Sequence, residues 1–178
     1  MVKFITFALF SILIFSLFGC SDSDSENKGS IITPMLLLPA DNDISGWVSF
    51  GSYEEANDYN SLYDIIGIDA QVYIDNGFLS GVFQQYIDSA GKGTIDIRIY
   101  DHGNEANASM TYSRIGSGIG IPWGGAGREA RIDKTIVASY IIEFWQKNFF
   151  VQVIIDEKTD EALNIAKQFA SYISKRIG

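Results

Sequence analysis

Thr94-Ile95-Asp96-Ile97-Arg98-Ile99-Tyr100 alternates without a break between isoleucine and polar or amphipathic side chains. A period of two places Ile95, Ile97 and Ile99 on one face of a strand and Asp96, Arg98 and Tyr100 on the other. The segment therefore reads as a strand with one face in a core and one wet face. Upstream, Asp88-Ser89-Ala90-Gly91-Lys92-Gly93 has the composition of a loop, and residues 78–87 before it are again apolar and strand-forming. The two runs form a hairpin. A second hairpin follows, with residues 136–145 and 149–155 on either side of Gln146-Lys147-Asn148. Hairpins in place of strand–helix–strand units imply an antiparallel sheet.

Helical spacing lies outside these hairpins. Over residues 60–76, Leu62, Ile65, Ile66, Ala70 and Tyr73 recur at steps near three and four, giving one apolar stripe. Asn60 or Ser61 is placed to cap its start, Asn76-Gly77 to end it, and Gly67 in the middle suggests close packing. Residues 104–114 read as a short helix with Ala106, Met110 and Ser113 on one side. Residues 159–176 form the strongest helix: Leu163, Ala166, Phe169, Ala170 and Ile173 line one face. Asp160 and Glu161 sit at its positive end, Lys175 and Arg176 at its negative end. Pro34 and Pro39 argue against a helix over residues 31–39, which read as a leading strand or loop. Asp43 to Trp47 forms a turn that inserts Trp47, followed by a short strand over 48–50. The expected fold is α+β, one domain over residues 31–178, with an antiparallel sheet built from hairpins and about three helices packed on one side of it.

The chain opens MVKFITFALFSILIFSLFGC. Lys3 is a short positive region, and the apolar run from Phe4 to Phe18 is the length of an export signal's hydrophobic segment, too short to span a bilayer comfortably. Leu17-Phe18-Gly19-Cys20 resembles the lipobox of bacterial lipoproteins. That resemblance implies cleavage before Cys20, a diacylglycerol thioether on its sulfur and acylation of the new amine. Cys20 is the one cysteine in the chain, so no intrachain disulfide or thiolate metal site competes for it. Ser-Asp-Ser-Asp-Ser-Glu-Asn-Lys-Gly-Ser over 21–30 has no apolar residue to bury and reads as a tether. Ser21 takes the place of the aspartate that marks inner-membrane retention, which favours the outer membrane. The expected localisation is the bacterial cell envelope, lipid-anchored, facing periplasm or exterior.

Charge narrows the partners. Against 22 acidic residues stand 13 Lys and Arg, for a formal net charge of −9, and the basic residues are scattered. Nucleic-acid binding and electrostatic adhesion to an anionic bilayer are both disfavoured. Attachment to a membrane is expected through the N-terminal lipid, and the folded domain is expected to meet an envelope protein or a small apolar ligand. No cofactor is expected.

Candidate chemistry is sparse. Gly125-Ala126-Gly127-Arg128-Glu129-Ala130 matches a dinucleotide fingerprint in letters only, because a strand pattern, not a helix, follows it. The glycine-rich stretch 116–127 would, as a flap over a pocket, present Trp123, Gly124 and Gly125 to a ligand; the alternative is a tryptophan that caps the core. His102 is the one histidine, so a Ser-His-Asp relay must pass through it. It lies in a turn and reads as a surface residue. Asp41, Asp43, Glu54, Glu55 and Asp58 lack a calcium-loop spacing and read as solvated charges. The sum is a non-catalytic binding or accessory domain; the alternative is an enzyme whose site the sequence does not announce.

Asp43-Ile44-Ser45-Gly46-Trp47, the segment from Leu62 to Tyr73, Asn76-Gly77-Phe78 and the aromatic pair of strands around Phe144-Trp145 and Phe149-Phe150 resemble a family of exported bacterial domains of unknown function. The likeness spans about residues 43–155. The Asn and Glu of that family's helix fall on Gly67 and Gln71, so chemistry carried by those two is not transferred. A looser likeness is to the sheet-and-helix fold of photosystem extrinsic subunits and nuclear-import cofactors, an analogy of fold alone.

Overall fold

The alternating stretch forms the strand β3 (Thr94–Asp101), third from one edge of a seven-stranded antiparallel sheet. The computed structural model describes residues 32–91, 93–115 and 120–178. Its other strands are β1 (Trp47–Ala56), β2 (Ser80–Asp88), β4 (Ile121–Pro122), β5 (Glu129–Asp133), β6 (Tyr140–Gln146) and β7 (Phe149–Ile155). Their order is β1-β2-β3-β7-β6-β5-β4. Two meanders, β1 to β3 and β4 to β7, thus meet where β3 pairs with β7, and both expected hairpins are present. The tight turn of the second uses Lys147 at φ 52.

Alternation sorts the side chains onto two faces. Ile95, Ile97 and Ile99 pair in register with Ile155, Val153 and Val151, and all six are buried in the larger core. The helix α4 (Asp160–Ile177) covers them, burying Leu163, Ala166, Phe169, Ala170 and Ile173 as its spacing implies. Thr159 caps it by accepting from the Ala162 N–H at 3.1 Å. Trp47 and Tyr86 pack on Phe169, with ring centroids 5.8 and 5.1 Å away. A single 3₁₀ turn, Pro34–Leu37, joins this face and buries Leu37. Proline forbids a helix interior but not the first residue of such a turn, where its missing N–H is no loss. The expectation of a strand or loop there is corrected accordingly.

The opposite face is covered too, so the helices flank the sheet on both sides. Tyr100, Phe150, Trp145 and Phe83 form a second core with α1 (Tyr59–Ile66), α2 (Ala70–Asp75) and α3 (Glu105–Ile115). The face of β3 read as wet is wet only in part: Tyr100 is fully buried, while Asp96 and Arg98 are half-buried. Alternation names two faces but not what covers the more polar one.

Three helix details depart from sequence expectation. The run 60–76 is broken by a 3₁₀ turn at Gly67–Asp69. Gly67 adopts φ 70, ψ −143 with open space around the position of a side chain; it serves a backbone conformation closed to other residues, not close packing. The cap is Asp58 in place of Asn60 or Ser61, with Ser61 N–H donating to Asp58 Oδ1 at 2.8 Å and Asp58 N–H to Ser61 Oγ at 3.2 Å, a reciprocal capping box. Finally, α3 buries Ala108, Thr111 and Tyr112, and leaves Ala106, Met110 and Ser113 exposed. The true stripe has ideal spacing but carries Thr and Tyr, which a count of apolar residues passes over.

Candidate ligand-binding groove

On the second face the strand register aligns four polar side chains. Arg98 lies opposite Gln152, Gln152 opposite Glu143, and Glu143 opposite Arg131, a row crossing β3, β7, β6 and β5. Cross-strand neighbours on one face lie close enough to bond, and most of the row does. Arg131 donates from Nε and Nη2 to Glu143 Oε2 at 2.7 and 2.6 Å, and from Nη2 to the Tyr112 carbonyl at 2.7 Å. Its guanidinium also lies 3.9 Å from the centroid of the Tyr112 ring. Gln152 Nε2 donates to the other Glu143 oxygen at 2.8 Å. Gln152 Oε1 then accepts from the Tyr73 and Tyr100 hydroxyls at 3.3 and 3.5 Å. The ion pair is nearly buried, its side chains 11% and 8% exposed, and both Glu143 oxygens are engaged, as a buried carboxylate requires.

Burial dominates the two phenols. It pushes Tyr73 far above the usual tyrosine range, and pushes Tyr100 up to about 12, with the Arg98 charge pulling the other way in both. Both stay neutral donors at physiological pH.

Arg98, at the other end of the row, has no ion pair among the described residues. Both oxygens of Glu143 are occupied by Arg131 and Gln152. Arg98 opens instead on two adjoining cavities that share Ile65, Ile66 and Arg98 as walls. The larger, about 490 Å³, adds Val72 and Ile115 as apolar wall, Tyr73 and Gln152 as polar floor, and Arg114 with Asp69 at its sides. The smaller, about 240 Å³, runs toward β1 and is lined by Phe50, Glu54, Phe83 and Asp96 among others. Asp96 is engaged by Gln85 Nε2 at 2.9 Å. Local structure makes the groove: Leu62, Ala70 and Tyr73 anchor α1 and α2, and the Gly67 break leaves Ile65, Ile66 and Val72 half-buried along its rim.

The residues singled out from sequence fall elsewhere. Trp123 is half-buried against the larger core, with its backbone N–H donating to the Ala130 carbonyl at 2.9 Å. Gly124 and Gly125 are exposed. The Gly125 carbonyl accepts from Ser171 Oγ at 3.0 Å, and Gly127 N–H donates to Ser174 Oγ at 2.9 Å, tying the loop to α4. Trp123 and Gly124 border a hollow of about 340 Å³ with Tyr112, Pro122 and Glu129, separate from the groove. Residues 116–119 of the glycine-rich stretch, and Cys20, lie outside the described residues.

His102 is not a surface residue: it is 1% exposed. Its Nδ1 lies 2.8 Å from the Asn76 carbonyl, an acceptor, so Nδ1 carries the proton, and Nε2 is buried without a partner among the described residues. Burial lowers its pKa, opposed by that bond and by Asp101. The turn at 101–104 folds under α3, where Thr111 and Asn107 meet it. Asp41 and Asp43 are exposed but employed: Asp41 accepts from the Ser49 N–H and Oγ at 2.8 and 2.7 Å, and Asp43 from the Ala40 N–H at 2.8 Å and the Tyr172 hydroxyl. These bonds hold both pKa values below the usual range.

Arg98, Glu143, Arg131 and Gln152 escaped notice as a group. The signal was present, since Glu143 and Gln152 each interrupt an otherwise apolar strand. Their convergence depends on a strand pairing between distant hairpins.

Neither a scan of protein-family models nor a search of curated proteins returns a match. Among solved structures, the chain is similar to the extracellular domain of PknH from Mycobacterium tuberculosis, with a TM-score of 0.53 and 11% identity over 81% of this chain and 94% of that one. At that identity the two share a fold.

Proposed function

We propose that this chain is a lipid-anchored envelope protein whose folded domain binds a small ligand in the groove over Arg98, without catalysis. The observation that carries the binding role is a half-buried arginine, lacking an ion pair among the described residues, that faces a cavity of about 490 Å³. Leaving a cation without a counter-charge at a partly desolvated site is costly, and such sites are commonly completed by a ligand. The anchor rests on the leader and on Leu17-Phe18-Gly19-Cys20. An exported location also accords with the extracellular domain that shares this fold.

Two measurements test the two halves. Cys20→Ser is expected to move the protein from the membrane pellet to the soluble fraction; unchanged sedimentation contradicts the anchor. Adding a small-molecule extract of the envelope is expected to slow amide exchange in segments 62–75 and 95–101, and not in α4. Exchange that no extract alters contradicts the binding role.

A further inference from the structure

We infer that the groove takes an uncharged, polyhydroxylated ligand: a short oligosaccharide whose hydroxyls bridge Arg98 to carboxylates of the same groove, with one ring resting on Phe50. This rests on the binding role proposed above and names the class of ligand. The sheet register extends the polar row past Arg98, since Phe83 lies opposite Arg98 and Glu54 opposite Phe83. A neighbouring row sets Phe50 opposite Gln85 and Gln85 opposite Asp96. These side chains line the smaller cavity, and Arg98 with Gln152 continues into the larger one. From β1 to β7 the groove therefore crosses four neighbouring strands, about 14 Å at roughly 4.8 Å per strand. An occupant that fills both cavities, about 240 and 490 Å³, is elongated.

Charge selects the chemistry. The wall of the larger cavity is mostly polar. Two guanidiniums, Arg98 and Arg114, and three carboxylates, Glu54, Asp69 and Asp96, line the groove, and among the described residues no ion pair joins any two of them. With both signs interspersed, an anion or a cation meets repulsion as well as attraction. A small zwitterion engages one guanidinium and one carboxylate and leaves the rest of the groove empty. A hydroxyl donates one hydrogen bond and accepts two, so it serves guanidinium and carboxylate alike. Successive hydroxyls on a sugar ring satisfy both signs without bringing a further charge into a partly desolvated site.

Phe50 supplies the other half of the match. It lines the smaller cavity and is 57% exposed. The register advances from Phe50–Gln85 to Glu54–Phe83, so residues 51–53 bulge out of β1, with Gly51 at φ 71. A bulge re-aims the side chains beside it, and Gln84 Nε2 holds this one by donating to the Phe50 carbonyl at 3.2 Å. An exposed aromatic face beside a polar groove suits a pyranose, whose C–H face is apolar while its edges carry hydroxyls.

Titration calorimetry on the full-length chain tests this with probes of similar length and different charge. The neutral probes are cellotriose, maltotriose and triacetylchitotriose; the charged ones are trigalacturonate, deacetylated chitotriose and the zwitterion triglycine. At least one neutral trisaccharide is expected to bind one to one, about tenfold or more tighter than every charged probe and than its own monosaccharide. Its affinity is expected to change by less than about twofold between low and high salt, because it has no charge to screen; this reading needs no variant. Phe50→Ala is expected to weaken it by about threefold to tenfold, and Arg98→Gln by about tenfold. Glu54→Gln and Asp69→Asn, both exposed, are each expected to weaken it by about twofold to fivefold, whereas an anion would bind more tightly to both variants. A charged probe that binds tightest, a gain in affinity from Glu54→Gln and Asp69→Asn, or a neutral sugar unaffected by all four substitutions overturns the saccharide assignment while leaving a ligand-binding groove in place. Should no trisaccharide bind, the assignment falls, and the amide-exchange measurement decides separately whether the groove binds anything.

Discussion

Glu143 is one carboxylate in the middle of a strand whose other central residues are apolar, and it organises the whole polar row. Removing one partner of a buried, hydrogen-bonded pair strands the other charge. Glu143→Leu is therefore expected to cost about 3–5 kcal/mol in urea unfolding. Combining it with Arg131→Met is expected to recover most of that loss, because two apolar side chains need no counter-charge; a double variant as unstable as the single one contradicts the account of the row. His102 supplies a pH test. Its folded-state pKa lies below the unfolded value of 6.5, so the native protein holds the ring neutral while the unfolded chain takes up a proton. Stability from this group is thus complete above pH 6.5 and is lost as pH falls from there through the lowered native value. His102→Phe is expected to flatten the stability profile between pH 7 and 5, and an unchanged profile contradicts it. His102 reads as a turn residue in the sequence and Glu143 draws no notice there, because burial of both comes from α3 packing across the strands.

Among the elements, the period-two signal of β3 and the apolar stripe of α4 were fully legible, since each is strict and each faces the larger core. Asp160, Glu161, Lys175 and Arg176 marked the ends of α4 correctly for the same local reason. The pair α1–α2 was legible as helix but not as a broken one. A glycine mid-stripe has two explanations, close approach or left-handed backbone, and only coordinates separate them. The backbone conformation of Gly67 makes Gly67→Ala costly, on the order of 1–3 kcal/mol, by a lowered urea midpoint; an alanine tolerated at no cost means that the break is not needed. Asp58→Ala removes the cap and is expected to cost about 1 kcal/mol, again by urea unfolding. The buried face of α3 was not legible, because Thr111 and Tyr112 bury their polar side chains with partners available, a condition set by His102 and Arg131 across space.

For the molecule as a whole, composition and hairpin count led to an α+β fold with an antiparallel sheet, and the structure has one. The flanking of both sheet faces was not legible, because helices of similar amphipathicity can dock on either side. That second covered face creates the groove, and so the groove was out of reach of sequence as well. On the function proposed above, the chain would act through a ligand held between α1–α2, α3 and the polar row, at the end of a tether that would begin at Cys20. Native mass spectrometry of the protein released gently from the envelope addresses both at once. The account predicts a chain starting at an acylated Cys20 and a fraction carrying a non-covalent small molecule that disappears in Arg98→Gln. A bare chain with an unmodified sulfur or a retained leader, with spectra the same for wild type and Arg98→Gln, would contradict it.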